Sequence, residues 1–536
     1  MTAPSPSTFS VALANETATA HLMADLALLI SPGDVITLSG DLGAGKSAAA
    51  RGMIRYLAGD AELEVPSPTF TLAQVYDLPG LPLIHADLYR ISDPDELEEI
   101  GLSPLPDGTV ALIEWPDRAA ALLPADRIDI ALSHRPALGS NARAAEIVGY
   151  GTAATLVARL KALRDMLAAA GLAEAERQRM AGDASIRSYA RLVRDGGSFI
   201  LMNSPKRQQG PAIYGGKSYS AAVHLAEDVR PFVAMANALR DRGLSAPVIH
   251  YADLESGFLV TEDLGNAGVV EGDPPRPILE RYEVATDLLV TLHSQALPET
   301  LPLTRQSAYA LPTFDIDAML VEAGLMLEWY LPDRGVQPNK NLVAVFIMMW
   351  RGLLQQAQTA AKTWLLRDFH SPNLIWQSER KGIARIGLID FQDAMLGHPA
   401  YDLVSLLQDA RVDVPEQLEL NLFARYIRAR RMLDQSFDPA TFAVHYAIMS
   451  AQRNTKLLGT FARLNRRDGK PQYLRHQPRI WTYLNRALAH PALTPVKDWY
   501  LANIPPPVGS KPPADGNTAA ANKPPAGNKA PPSNKA

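Results

Sequence analysis

The sequence predicts an α/β domain over residues 1–150, a bilobal α+β domain over residues 155–500, and a disordered tail over residues 503–536. Short apolar runs alternate with helical stretches up to about residue 150. Strand-like runs then dominate from about 181 to 270, and long helical patterns follow from 278 onward. From about residue 504 the chain is mostly Pro, Ala, Gly, Asn and Lys, without an aromatic residue. Such a segment cannot bury enough apolar surface to offset its ordering entropy.

Composition narrows the classes. Of 536 residues, 47% are hydrophobic and 20% charged, as expected of a globular chain with real cores. Lys plus Arg is 52 and Asp plus Glu 57, a net charge of −5, which argues against wholesale nucleic-acid binding. Cysteine is absent. That excludes disulfides, thiolate-ligated zinc, iron–sulfur clusters and a cysteine nucleophile, and it fits a reducing cytoplasm. The apolar runs at 26–30 and 342–350 fall short of the roughly 18–20 residues of a spanning helix. Residues 1–8 show no basic, apolar leader pattern. The expected location is cytoplasmic, with no membrane contact.

In the first domain, strands are expected at 34–39, 83–86 and 110–113, and helices at 18–30 and 46–58, around a mostly parallel sheet. The small-residue stretch 149–155 is a junction, followed by a helix over 155–170. Strands at 189–193, 199–202 and 258–262 form a small lobe. Helices such as 279–293 and 342–359 form a large one, broken near 364–393 by short strands and loops. A mixed small lobe before a helical large lobe is the outline of a kinase-like fold.

The run Gly40-Asp41-Leu42-Gly43-Ala44-Gly45-Lys46-Ser47 fits G-x-x-x-x-G-K-[ST], with an apolar strand before it and a helix-forming run after it. Backbone N–H groups and the helix N-terminus make a nest for phosphates. Lys46 would reach the β- and γ-phosphates of ATP, and the Ser47 hydroxyl would ligate Mg²⁺. This predicts a P-loop NTPase domain. Such a site also needs acids at strand ends. Asp87, in HADLYR, is placed to bind Mg²⁺ directly or through water. Glu114, in EWP, is placed to orient the attacking water or sense the γ-phosphate.

GDLGAGKS, Ser67-Pro68-Thr69-Phe70, HADLYR and EWP, in that order, resemble the TsaE family of small ATPases over roughly residues 10–150. Those ATPases support threonylcarbamoylation of adenosine in transfer RNA. The resemblance implies that Thr69 lies on a switch-like loop at the metal and that Asp87 is the magnesium-side acid. It implies that Glu114 with Trp115 forms a second switch. It also implies docking onto TsaB and TsaD, an indirect association with tRNA, and ATP hydrolysis that resets the partner enzyme.

Further on, Arg367-Asp368-Phe-His370-Ser-Pro-Asn373 places an aspartate five positions before an asparagine, and Ile389-Asp390-Phe391-Gln392-Asp393 ends a strand-like run. This is the spacing logic of a kinase catalytic loop followed by a metal-binding aspartate. Asp368 would accept the proton of a substrate hydroxyl. Asn373 and Asp390 would hold Mg²⁺ on the ATP phosphates.

With GDAS at 182–185 and LVTEDLG at 259–265, these runs resemble the aminoglycoside phosphotransferase superfamily over roughly residues 155–500. Within it they are most similar to the anomeric amino-sugar kinases of the AmgK family, which act on N-acetylmuramate and N-acetylglucosamine in peptidoglycan recycling. The resemblance implies that Gly182, Asp183 and Ser185 cap the phosphates and that the segment at Glu262 holds the adenine edge. It implies that Asp402 braces the catalytic loop. The strand at 199–203 departs from the pattern, carrying Met202 and Asn203 where a lysine is expected; Lys206 and Lys217 lie just beyond. Three readings of the second domain stay open at this point: an amino-sugar kinase, a pseudokinase that regulates the ATPase, and a kinase for an aminoglycoside or choline-like alcohol. The arginine-rich stretches 425–431 and 463–467 are solvated helix faces, or contacts to an anionic substrate or to transfer RNA. Trp329, Trp350 and Trp364 are expected in the core, and His370 is expected to brace its loop.

Overall fold

The computed structural model describes residues 5–78, 80–91, 96–99, 101–102, 105–180, 187–358 and 360–509. The predicted phosphate-capping residues Gly182, Asp183 and Ser185 lie outside the described residues, as does the tail from 510 onward.

The N-terminal domain runs β1 (Ser7–Leu13), α1 (Glu16–Ala27), β2 (Val35–Ser39), α2 (Lys46–Ala58), β3 (Ala73–Tyr76), β4 (Leu83–Asp87), α3 (Glu96–Glu99), β5 (Val110–Glu114), β6 (Arg127–His134) and β7 (Arg143–Tyr150). The seven strands form one sheet in the order β1-β7-β6-β2-β5-β4-β3. Its centre is parallel, with β2 between β5 and β6 and β4 beside β5. The flanks are antiparallel, which corrects the expectation of a mostly parallel sheet. The reason is local: β6 and β7 are joined by a short connection and can only pair antiparallel. The central strands β4 and β5 are buried along their whole length, including the polar His85, Asp87 and Glu114. The flanking strand β6 sets buried residues between more exposed ones, and β1 alternates half-buried and exposed residues.

The chain then enters α4 (Ala153–Ala169) and a five-stranded antiparallel sheet of order β11-β12-β10-β9-β8. Its strands are β8 (Glu176–Arg179), β9 (Ser188–Arg194), β10 (Gly197–Asn203), β11 (Ile249–Asp253) and β12 (Phe258–Glu262), with α5 (Tyr219–Ala222) and α6 (Arg230–Arg240) between β10 and β11. The large lobe opens with β13 (Val270–Glu271), β14 (Arg276–Pro277), α7 (Leu279–His293), β15 (Thr300–Pro302), β16 (Ala308–Ala310), α8 (Ile316–Leu325), α9 (Leu331–Asp333) and α10 (Lys340–Ala357). Four short strands follow: β17 (Thr363–Leu365), β18 (Leu374–Trp376), β19 (Ile386–Leu388) and β20 (Met395–Gly397). The helices α11 (Ala400–Leu407), α12 (Glu416–Leu433), α13 (Pro439–Asp468), α14 (Gln477–Leu488) and α15 (Thr494–Asn503) complete it. Among the described residues no helix is long and apolar enough to cross a membrane.

The junction expected at 149–155 is a tight turn with Gly151 at φ +58°, and no linker follows it. Instead, one apolar core runs through both units. Leu22 and Leu26 of α1 belong to the same buried cluster as Leu160 and Leu163 of α4 and Leu192, Leu201 and Val260 of the small-lobe sheet. Asp25, fully buried, pairs with Arg164 at 2.8 Å and Arg177 at 3.0 Å across this seam. The first residues of the segment expected as a tail are packed on the large lobe. Ile504 is buried, and the Pro505 carbonyl accepts the Tyr330 hydroxyl at 2.7 Å. Trp350 and Trp364 are fully buried, and Trp329 packs against the same core.

Candidate active sites

The first site sits where β2, β4 and β5 end. Gly40 has φ +130°, and a Cβ there would lie 2.2 Å from the Leu132 carbonyl oxygen, so only glycine lets the loop leave β2 beside β6. Gly45 caps α2 at φ +107°, and Gly43 lies at φ +79°. Lys46 is buried; its Nζ donates to the carbonyls of Gly40 at 2.7 Å and Asp41 at 3.0 Å and lies 3.6 Å from the Trp115 ring centroid. Burial lowers the Lys46 ammonium from its ordinary value, against the opposing pull of Glu114, Asp87 and Asp41.

The two acids sit side by side in the parallel register of β4 and β5, Asp87 opposite Glu114. Asp87 accepts from Thr69 Oγ1 at 2.6 Å, from the Tyr89 N–H at 3.0 Å and, more weakly, from Ser67 Oγ at 3.4 Å. Glu114 is held between Ser47 Oγ at 3.1 Å and His85 Nε2 at 3.0 Å, with His85 itself buried. The structure thus brings Lys46, Ser47, Thr69, Asp87, Glu114 and Trp115 together. The Ser47 and Thr69 hydroxyls and two carboxylates are the hard oxygen donors that Mg²⁺ takes alongside phosphates.

Two members of this site were not foreseen. His85 aims Glu114. Arg143, on β7, donates to the carbonyls of Ala44 at 3.1 Å and Gly43 at 3.2 Å, clamping the P-loop from two strands away in the sheet. The histidine stands in the HADLYR run, and its place two residues before Asp87, on the same face of β4, was the available signal. Nothing local marks Arg143.

The second site is a cleft of about 270 Å³ that brings Asp368, Asn373 and Asp390 together. Asn373 Nδ2 donates to the Asp368 carbonyl at 2.9 Å, and the Ile389 N–H donates to the Asn373 carbonyl at 3.1 Å, so the catalytic loop and the metal strand are tied backbone to backbone. Arg367 and Asp390 both sit at positive φ, +69° and +58°, a strain that marks built sites. The loop is braced from beneath. Asp402 accepts the N–H groups of Leu366 at 2.7 Å and Arg367 at 2.8 Å, and the Arg367 guanidinium pairs with buried Glu322. His370 lies 3.9 Å from Asp368, and burial pushes it down to about 4, so it is neutral at pH 7.

Burial pushes the Asp368 carboxyl up, but His370, Lys456, Arg367 and Arg453 pull it down by more, and it ends below its ordinary value. Asp390 ends the other way. Burial raises it to about 6, although Arg187 donates to its Oδ1 at 2.9 Å and Gln392 at 2.8 Å. One carboxylate and one carboxamide, with room for phosphate oxygens, fit Mg²⁺ shared with ATP.

Around Asp368 the cleft is strongly basic. Arg411, Arg453, Lys456 and Arg463 line it with Arg367, against Glu322, Asp368 and Asp390. Of the predicted arginine stretches, 463–467 supplies Arg463 to the cleft. Arg425 instead pairs with Asp287 at 2.7 Å on the outside of α7. Arg453 and Lys456 were missed, because only the folded α13 shows which of its faces meets the loop. Glu262 lies outside this cleft. Its carboxylate accepts from Arg380 at 2.6 Å and from the Val248 N–H at 3.1 Å, and its own N–H donates to the Val248 carbonyl at 2.8 Å. Lys206 and Lys217 are both exposed, and Lys217 borders a different cavity.

Comparison with known proteins assigns a family to each of the two units. The model of the threonylcarbamoyl adenosine biosynthesis protein TsaE matches residues 13–143, and that of the phosphotransferase enzyme family matches residues 176–440. The N-acetylmuramate/N-acetylglucosamine kinase of Caulobacter vibrioides is 36% identical over 352 residues, covering 63% of this chain and 95% of the relative. Its counterpart from Pseudomonas aeruginosa is 30% identical over 327 residues, covering 60% and 87%. The tRNA threonylcarbamoyladenosine biosynthesis protein TsaE of Rickettsia bellii is 37% identical over 120 residues, covering 22% of this chain and 83% of the relative. The chain is an ATP-using enzyme that belongs to two families in tandem, the TsaE family in its N-terminal domain and the N-acetylmuramate/N-acetylglucosamine kinase family of phosphotransferases in the bilobal unit that follows.

Proposed function

We propose that the second unit transfers the γ-phosphoryl group of ATP to the anomeric hydroxyl of N-acetylmuramate and accepts N-acetylglucosamine as a further substrate. We further propose that the first unit hydrolyses ATP in support of tRNA threonylcarbamoyladenosine synthesis, with TsaB- and TsaD-like partners.

The observation that carries the sugar assignment is a set of unpaired donors. Arg453 Nη1, Arg463 Nε and Thr460 Oγ1 are buried without a hydrogen-bond partner in the cleft that holds Asp368. Buried donors without partners are costly, and a carboxylate flanked by hydroxyls would satisfy all three. N-acetylmuramate carries both. A cationic aminoglycoside or choline-like acceptor would meet the same positive field and be repelled.

In the reaction, Asp368 takes the proton of the anomeric hydroxyl as its oxygen bonds to the γ-phosphorus, and the bond from that phosphorus to the bridging oxygen breaks to leave ADP. The low value of Asp368 keeps it ionised and ready to accept. Asn373 and Asp390 would hold Mg²⁺, which when bound offsets charge on the β- and γ-phosphates. His370, neutral and buried, keeps the loop in shape without competing for the proton.

In the first site, Lys46 and the loop amides would bind phosphate, Ser47, Thr69 and Asp87 would hold Mg²⁺, and Glu114 would orient water. The pairing of Thr69 with Asp87 supports a loop that senses the metal.

The test uses full-length Lys46→Ala protein, in which the first site is silent, with N-acetylmuramate, N-acetylglucosamine and an aminoglycoside as acceptors. Anomeric phosphorylation that falls by about 10²–10⁴ in Lys46→Ala/Asp368→Asn is expected. Transfer to the aminoglycoside alone, or to no acceptor while ATP still binds, would overturn the assignment in favour of another alcohol or a regulatory pseudokinase.

A further inference from the structure

The second site lacks both halves of the ion pair that kinases place over the ATP phosphates. In the β9–β10 register Met202 faces Tyr189, and both pack against the core that extends into the large lobe. Leu201, Ala190 and Leu192 point to the opposite face, into the core shared with the N-terminal domain. Residue 202 therefore faces the large lobe from this strand, and it is a buried methionine. Asn203 points away, toward Leu28. The helix that would supply the glutamate, α6, reads RPFVAMANALR and contains no acidic residue. Losing the lysine and the glutamate together leaves no orphaned partner of either sign, which is the pattern of a replaced device.

One cation occupies the vacated ground. Strand alternation puts Arg187 on the same face as Tyr189, two residues upstream. Its side chain is 8% exposed, and Nη1 donates to Asp390 Oδ1 at 2.9 Å. Phosphate oxygens that share a metal with Asp390 must come within a few ångströms of that guanidinium. An arginine suits the position, because its planar fork offers donors in more than one direction and its charge is permanent. Arg207 lies behind it, its guanidinium donating weakly to the Ala226 carbonyl at 3.4 Å.

We propose that Arg187 binds the β-phosphate end of the nucleotide in the second site and replaces the missing strand lysine and helix glutamate. This rests on reading Asp390 and Asn373 as the metal end of an ATP site, and it is independent of which sugar is the acceptor.

The test compares ADP with adenosine, which differ only in phosphate. Both are titrated with Mg²⁺ into full-length Lys46→Ala protein by calorimetry. In Arg187→Met, ADP should bind about 10- to 100-fold more weakly while adenosine binds as before. Adding Met202→Lys should recover part of the ADP loss, because it restores a cation to the same face. Equal weakening of ADP and adenosine, or no weakening of ADP, would overturn the proposal. Should Arg187→Met fail to fold, Arg187→Gln, which keeps a donor toward Asp390 but removes the charge, must show the same selective loss of ADP. Asp390→Asn separates the two readings. If it leaves Mg²⁺-dependent ADP binding intact, the metal-site reading itself fails, whatever Arg187 does.

Discussion

Asn203 donates from Nδ2 to the Leu28 carbonyl at 3.0 Å, and this one bond ties the kinase small lobe to the end of α1 in the ATPase domain. Ser188 Oγ donates to the same carbonyl at 2.8 Å, and Asn203 Oδ1 accepts from Arg159 Nη2 of α4 at 2.5 Å. Close by, Arg179 at the end of β8 donates to the Leu57 carbonyl in the last turn of α2, the helix whose first turn carries Lys46. The two nucleotide sites are therefore mounted on opposite sides of one packed seam.

That seam should make the units unfold together. Asp25 is the charge at its centre, and removing it leaves Arg177 buried without its counter-ion. Asp25→Ala should cost about 3 kcal/mol. The intact protein should show one calorimetric transition, which the substitution moves as a whole. Two resolved transitions, only one of which shifts, would show that the units are energetically separate.

The nucleotide chemistry was legible in the sequence because it is written in contiguous runs. GDLGAGKS, HADLYR, EWP, RDFHSPN and IDFQDA each place several site residues within one turn or strand end. Apart from His85, what escaped was supplied from far along the chain. Arg143 meets the P-loop from 99 positions away, and Arg453 and Lys456 reach Asp368 from α13. The antiparallel flanks were missed for another reason. Strands such as β6 and β7 bury alternate residues only, and their mixed composition is less conspicuous than the fully buried β4 and β5, which open on apolar pairs. The seam was hidden because a surface turn and a buried joint both read as small residues with glycine.

The basic cleft predicts a split between acceptors. Arg463 stacks over the Tyr219 ring at 4.5 Å, and its Nε is unpaired. Arg463→Gln should raise KM for N-acetylmuramate about 10-fold, the scale of one charge-assisted hydrogen bond. It should change KM for N-acetylglucosamine little, since that sugar lacks the carboxylate. Equal effects on both sugars would show that Arg463 shapes the cleft without reading the acid.

Acid should destabilise the large lobe through its buried histidines. His398 Nδ1 accepts the Ala400 N–H at 3.0 Å, so its Nε2 carries the proton and donates to His445 Nδ1 at 2.9 Å. Burial, with His445 and Arg430 adding to it, pushes His398 down to about 3 from an ordinary 6.5. Below pH 6.5 the unfolded chain takes up a proton that the folded chain refuses. Stability is therefore lost as pH falls from 6.5 toward 3, by about 1.4 kcal/mol per pH unit for each such histidine. The midpoint of denaturation should fall between pH 7 and 5, and His398→Asn should flatten that slope. An unchanged slope would place the proton uptake elsewhere.

Gly459 decides whether the acceptor side of the cleft can be built at all. A Cβ at this position would lie 2.2 Å from the Leu325 carbonyl carbon and 2.5 Å from Met326 N, both backbone atoms that cannot swing aside. Glycine thus lets α13 cross the end of α8 at contact distance. That crossing sets the height of Lys456, which pairs with Glu322 of α8 at 2.9 Å, and of Arg463 two turns beyond. Gly459→Ala must push the helices apart and should cost about 1–3 kcal/mol, although alanine is the better helix former. Gly352, in the exposed middle of α10 with nothing within 4 Å of an added Cβ, is the control. There the same substitution should stabilise by about 0.4–1 kcal/mol. Because α13 carries the acceptor-side cations and not the metal ligands, Gly459→Ala should raise KM for N-acetylmuramate severalfold and leave KM for ATP near its starting value. A parallel rise in both would mean that the α8–α13 crossing supports the whole cleft, and an alanine as stable as glycine would mean that the helices can separate without cost.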